Sequence, residues 1–197
     1  ILYEKIIYLF SNDLFSTLKN YASYEFTRNS PFFFILLSFF HKMGLDIDTI
    51  RYLNILSVFL LTYFFFDCLK IKFGKTNVAI LKIFSLVLFL SPTIRSLVVW
   101  PYPILYAFLF FLIATKYYLL FCRDKKNKLK NALLNILFVA VASYLTPNFS
   151  VFAIFFTYRF FLEFNLNKNF FYVIIFNLIL AIPAVIFYYN TSFYILD

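Results

Sequence analysis

The chain has 197 residues, of which 63% are hydrophobic, 25% aromatic and only 14% charged, and its formal net charge is +9. Soluble chains carry about 25% charged residues, and a domain of this length cannot hide so much apolar surface from water. A water-soluble globule is therefore excluded, and an integral membrane protein built from helices is expected.

The first 51 residues mix polar and apolar positions and hold five acids, five Lys/Arg and the sole histidine, His41. Within them "PFFFILLSFFHKMG" is too short to cross the hydrocarbon, which takes about 20 helical residues. It reads as a helix over 31–43 lying in the membrane interface. Apolar blocks follow at 52–69, 78–91, 102–122, 131–146, 149–163 and 170–189. In lipid every backbone polar group must be paired within the protein, so each block is read as a helix. The fold class expected is thus all-α and integral to the membrane. About six transmembrane helices in a bundle over 52–189 follow a juxtamembrane helical segment over 1–51 on the outer face. The blocks at 78–91, 131–146 and 149–163 are short for the task.

Charge orients the bundle. The links "KIKFGKTN" (70–77) and "RDKKNKLK" (123–130) are rich in lysine, and 164–169 adds Lys168. The positive-inside rule places these three at the cytosol. The 92–101 and 147–148 links and the opening 51 residues then share the opposite, outer face. On that division the inner side carries twelve Lys/Arg against three acids, and the outer side six of each. The whole basic excess is a topology signal, and no nucleic-acid partner is needed to explain it.

Charges inside spans are candidates for function. Asp67, Lys82, Lys116 and Arg159 all lie near the inner ends of their blocks, where they can snorkel or pair; Arg159 and Glu163 share a helical face. No block carries a charge at mid-depth, which argues against a proton pump or an ion channel. The cysteines, Cys68 and Cys122, sit at block ends and suggest neither a disulfide framework nor a metal site. No resident cofactor is expected; the residues suggest no metal site, and metal dependence stays open.

The stretch "SPTIRSLVVWPYPILYAF" (91–108) places an arginine, the only tryptophan and three prolines between two apolar runs. Ser91 and Pro92 end one span, Pro101 and Pro103 suit the start of the next, and Trp100 and Tyr102 suit an aromatic belt. Arg95 is left over.

Taken together, the long outer segment, Arg28, Ser30-Pro31 with Phe32 to Phe34, Met43-Gly44, Arg51-Tyr52-Leu53, the Ser91, Pro92 and Arg95 corner and "SYLTPNFSVF" (143–152) form a recognisable order. It resembles the amino-terminal half of the multi-span C-type (GT-C) glycosyltransferases that use polyprenyl-phosphate-linked sugars. The protein mannosyltransferases and aminoarabinose transferases are members. The resemblance covers roughly 1–163, has one of the family's two usual prolines, and lacks a first span before the acid. The chain is accordingly expected to be a fragment of a longer one.

The resemblance implies transfer of a sugar from a polyprenyl-phosphate donor to a glycan, lipid or protein acceptor on the outer face. That face would be periplasmic for a bacterial inner membrane and luminal for the endoplasmic reticulum. An acid takes the acceptor's proton, and cations hold the phosphate as it gathers charge on leaving. Glu4 is the candidate base, with Asp13 second; Arg28 and Arg95 are the candidate phosphate ligands. The competing expectation is a non-catalytic multi-span component, such as a polysaccharide flippase or polymerase subunit or a transporter half.

Overall fold

The computed structural model describes residues 2–24, 30–74, 77–99 and 102–191. Among these the regular structure is helical throughout: α1 Leu2–Asn12, α2 Leu14–Lys19, α3 Pro31–Lys42, α4 Ile47–Phe73, α5 Val78–Leu90, α6 Pro92–Val99, α7 Pro103–Arg123, α8 Lys128–Leu145, α9 Val151–Phe164 and α10 Lys168–Thr191. Single 3₁₀ turns at Tyr21–Ser23 and Pro147–Ser150 complete the chain's regular elements. The helical class expected from composition is what the described residues have.

Four stretches are long and apolar enough to cross a bilayer: Asp48–Phe73, Pro103–Arg123, Lys128–Leu145 and Lys168–Tyr189. A fifth arises if α5 and α6 count as one span bent by 58°. The bend falls at Ser91-Pro92, where proline has no N–H to donate and its ring clashes with the carbonyl four residues back. The six crossings expected from sequence therefore reduce to four or five. The block at 149–163 is the one lost: α9 has 14 residues, about 21 Å at 1.5 Å per residue, against a core of about 30 Å. Conversely, α4 extends well beyond the block at 52–69. Asp46 caps its start, accepting from the Thr49 amide at 2.8 Å. Gly74, at φ +80, ends it in a conformation that a β-carbon resists.

Helices α4 and α7 run parallel, joined near their starts by Asn54 and Tyr106 and at their ends by Ile71 and Arg123, and α8, α9 and α10 then alternate in direction, so the helix ends sort into two sets. At one end lie the lysine-rich links, tied by Arg123 Nη1 donating to the Ile71 carbonyl at 2.7 Å and by a Lys128–Glu163 ion pair. Asp67 and Lys116, expected merely to snorkel or pair, meet across α4 and α7 at 2.7 Å near that end. Arg159 and Glu163 do not pair. Glu163 goes to Lys128, and Arg159 Nε donates to the Tyr118 hydroxyl at 2.9 Å.

At the other end, residues 2–24 and 30–42 fold down on the bundle. Ile6, Ile7, Phe10, Tyr21, Phe33, Phe34 and Leu37 join Ile50 of α4, Ala107 of α7 and Leu145 of α8 in one buried cluster. Ser30 caps α3 through the Phe32 amide, and Pro31 occupies its first turn, where a missing N–H costs nothing. The helix matches the expected 31–43 element closely, yet its inner face is fully buried against protein. Two forces act here. In water, burying each such Phe or Leu stabilises by about 1.5–3 kcal/mol. Between spans in lipid that drive is absent, and close packing takes over. Ala107, Ala114, Ala132 and Ala142, all buried, let α7 and α8 approach closely.

Candidate functional site: an apolar cavity below the amino-terminal helices

A cavity of about 400 Å³ lies where the start of α3 meets α8, α9 and α10. That size falls within the range of ligand pockets, roughly 300–1,000 Å³. Its walls are hydrocarbon from Ile136, Val139, Ala140, Ala153, Phe156, Leu180 and Ala181. Its polar groups are neutral: Ser30, Asn135, Ser143, Tyr144, Ser150, Asn177 and Tyr188. Among the described residues, no charged side chain lines it.

Each wall is fixed by interhelical hydrogen bonds. Asn135 on α8 donates through Nδ2 to the Ala114 carbonyl of α7 at 2.8 Å. Asn177 on α10 donates to Thr157 Oγ1 of α9 at 3.3 Å. Tyr144, near the end of α8, donates its hydroxyl to the Leu180 carbonyl of α10. That bond falls in the turn before Pro183, which interrupts the α10 ladder. The Phe32 ring lies tilted against Tyr144, ring centroids 5.6 Å apart, and thereby seats α3 on the cavity's rim.

Two segments named in the family resemblance converge here. Ser30, Pro31 and Phe32 come from the first, and Ser143, Tyr144, Pro147 and Ser150 from the second, more than 100 positions away. The candidate residues for chemistry lie elsewhere. Glu4 is exposed in the first turn of α1. Asp13 is exposed and caps α2, accepting from the Ser16 amide at 3.1 Å. Arg95 is exposed on α6, its Nη2 at 3.5 Å from the Leu90 carbonyl. Its neighbours Ile94, Leu97 and Val98 join a separate cluster with Val58 and Leu61 of α4 and Leu105 and Leu109 of α7. Arg28 lies outside the described residues. Glu4, Asp13 and Arg95 do not line the cavity.

The neutral amides Asn135 and Asn177 are what the charge-based reading of the spans passed over. So is Asn54, fully buried on α4 and accepting from the Tyr106 hydroxyl of α7. The signal was present: an amide within an apolar block must find a partner inside the protein, because lipid provides none. Among the described residues no group of three His, Cys, Asp or Glu is placed to hold a metal ion. With hydrocarbon and neutral polar groups as its described lining, the cavity suits an apolar ligand with neutral polar groups. Proton transfer would have to happen at the rim or beyond it.

Comparison of the chain with family models, with curated proteins and with solved structures finds no match.

Proposed function

We propose that this chain belongs to a membrane glycosyltransferase that takes its sugar from a polyprenyl-phosphate donor and works at the end of the bundle away from the lysine-rich links. The observation that carries the proposal is the convergence of Ser30-Pro31-Phe32 and the 143–150 segment on one lipid-compatible cavity at that end. Apolar walls suit the first isoprene units of the donor. Its phosphate would stay at the rim. Glu4 is the proposed base, with Asp13 second, and Arg28 and Arg95 are the proposed phosphate ligands. In this scheme Glu4 takes the acceptor hydroxyl's proton as its oxygen attacks the anomeric carbon, and the prenyl phosphate departs with the bonding electron pair.

The test follows radiolabelled sugar leaving a polyprenyl-phosphate donor in membranes. Glu4→Gln should lower turnover about 10²-fold or more, the scale of a lost general base. Ala140→Phe, which fills the cavity, should chiefly raise the donor's KM. Unchanged kinetics in both variants would refute the assignment.

The uncharged lining favours one other reading, a non-catalytic membrane component that holds a lipid. That reading requires donor binding without turnover, abolished by Ala140→Phe and indifferent to Glu4→Gln.

A further inference from the structure

Arg159 stands one helical turn beyond Phe156 of the cavity wall, toward the end of α9 that meets the lysine-rich links. Arg159 and Glu163 stand four residues apart on one face of α9, the spacing at which a helix pairs opposite charges. The fold gives Glu163 to Lys128 instead. Arg159 is left with a neutral partner, the Tyr118 hydroxyl, through Nε alone at 2.9 Å. Its two terminal nitrogens have no hydrogen-bond partner among the described residues, and the side chain is exposed. Lys125 and Lys128 lie close enough, with Arg159, to act electrostatically on Glu163. Three cations thus face one carboxylate.

The rest of that helical face is apolar and uncovered. Phe155, Phe152 and Val151 precede Arg159 by four, seven and eight residues, and they are 50%, 39% and 66% exposed. The stripe runs about 12 Å from the guanidinium toward mid-bundle. A cation fork at one end of a hydrocarbon-facing stripe has the layout of a phospholipid, phosphate at the top and chain below. Its end of the bundle is the one that bears the lysine-rich links.

We propose that this face of α9 binds an anionic phospholipid, its phosphate held by the Arg159 guanidinium and the Tyr118 hydroxyl and one acyl chain lying along Phe155, Phe152 and Val151. The tyrosine oxygen accepts from Arg159 Nε; its proton lies toward the weakly accepting Cys122 thiol, and a phosphate oxygen would take that donation over. Lys125 and Lys128 add attraction without contact. The proposal is independent of sugar transfer and of the cavity, and it holds or fails without reference to either.

The experiment is native mass spectrometry of the full chain from mild detergent, supplied with equal amounts of phosphatidylglycerol and phosphatidylcholine of matched acyl chains. The wild-type protein should retain the anionic lipid about fivefold or more over the zwitterionic one, the scale of one basic residue at an anionic surface. Arg159→Gln should bring that ratio near unity, and Tyr118→Phe should lower it partway. Lys82→Gln, which removes an exposed cation from α5, should leave it unchanged. A wild-type ratio near unity overturns the proposal, as does a ratio that survives Arg159→Gln or falls equally with Lys82→Gln. Inorganic phosphate at millimolar concentration should not displace the lipid; if it does, the site is one for soluble anions and the lipid assignment fails. Should Arg159→Gln not fold, the wild-type ratio and its response to phosphate decide the matter alone.

Discussion

At the scale of single residues, partners decide what each polar group does. Asp67 and Lys116 sit in separate apolar blocks, and either alone would be an expensive charge near lipid. Brought to 2.7 Å with side chains about one-fifth exposed, they neutralise each other and brace α4 against α7. Lys116 also lies 5.3 Å from the centre of the Phe64 ring, a second favourable contact. Removing one partner leaves the other stranded, whereas removing both does not. We expect Asp67→Asn and Lys116→Met each to destabilise by about 1–2 kcal/mol, discounted for partial exposure, and the double variant to lose less than the sum. Unfolding of the four proteins in mixed detergent micelles measures the coupling directly. Exposed carboxylates play a different part. The Asp124 carboxyl is held below the usual aspartate range by the Asn127 side chain and the Lys126 amide, as Asp46 is by Thr49. Both serve the local turn or cap.

At the scale of elements, the sequence marks where helices stop more clearly than whether they cross. Ser30-Pro31, Asp46, Gly74 and Ser91-Pro92 each stand at a boundary found in the structure. What the blocks conceal is length set against direction. The 149–163 block becomes a 14-residue helix because a 3₁₀ turn at Pro147–Ser150 takes up its beginning. The α5–α6 break turns on one residue. Pro92→Ala restores the missing N–H donor, and α5 and α6 should then approach one continuous helix with the 58° bend largely removed. Spin labels at positions 80 and 97 would report the change as a longer mean distance; an unaltered distance would show that packing against α4, rather than proline, sets the bend.

At the scale of the whole molecule, the fold separates two ends with different chemistry. Lysine-rich links and the Lys128–Glu163 pair share one end, while the amino-terminal helices pack on the other, with the cavity opening below them. This is the partition that the charge count of the links implies, and it makes a direct prediction. In intact cells, cysteines introduced at Asp13 and at Lys126 should react with a membrane-impermeant maleimide from opposite sides. Labelling of both from one side would dissolve the proposed pocket, since a donor at the rim could not meet the amino-terminal acids.

How far each level was legible follows from the range of the forces involved. Solvent choice, helical class and the polarity of the links are sums over many residues, so composition and block pattern determine them without knowledge of contacts. Helix ends are local hydrogen-bonding problems, and Ser, Asp, Pro and Gly announce their solutions. Pairing is neither summed nor local. That Glu163 joins Lys128 rather than Arg159, that Asn135 reaches Ala114, and that residues 30–32 and 143–150 border one cavity depend on which helix faces meet. In lipid those faces are nearly alike in hydrophobicity, so only shape and a few buried hydrogen bonds select among them, and that selection exists only once the helices are packed.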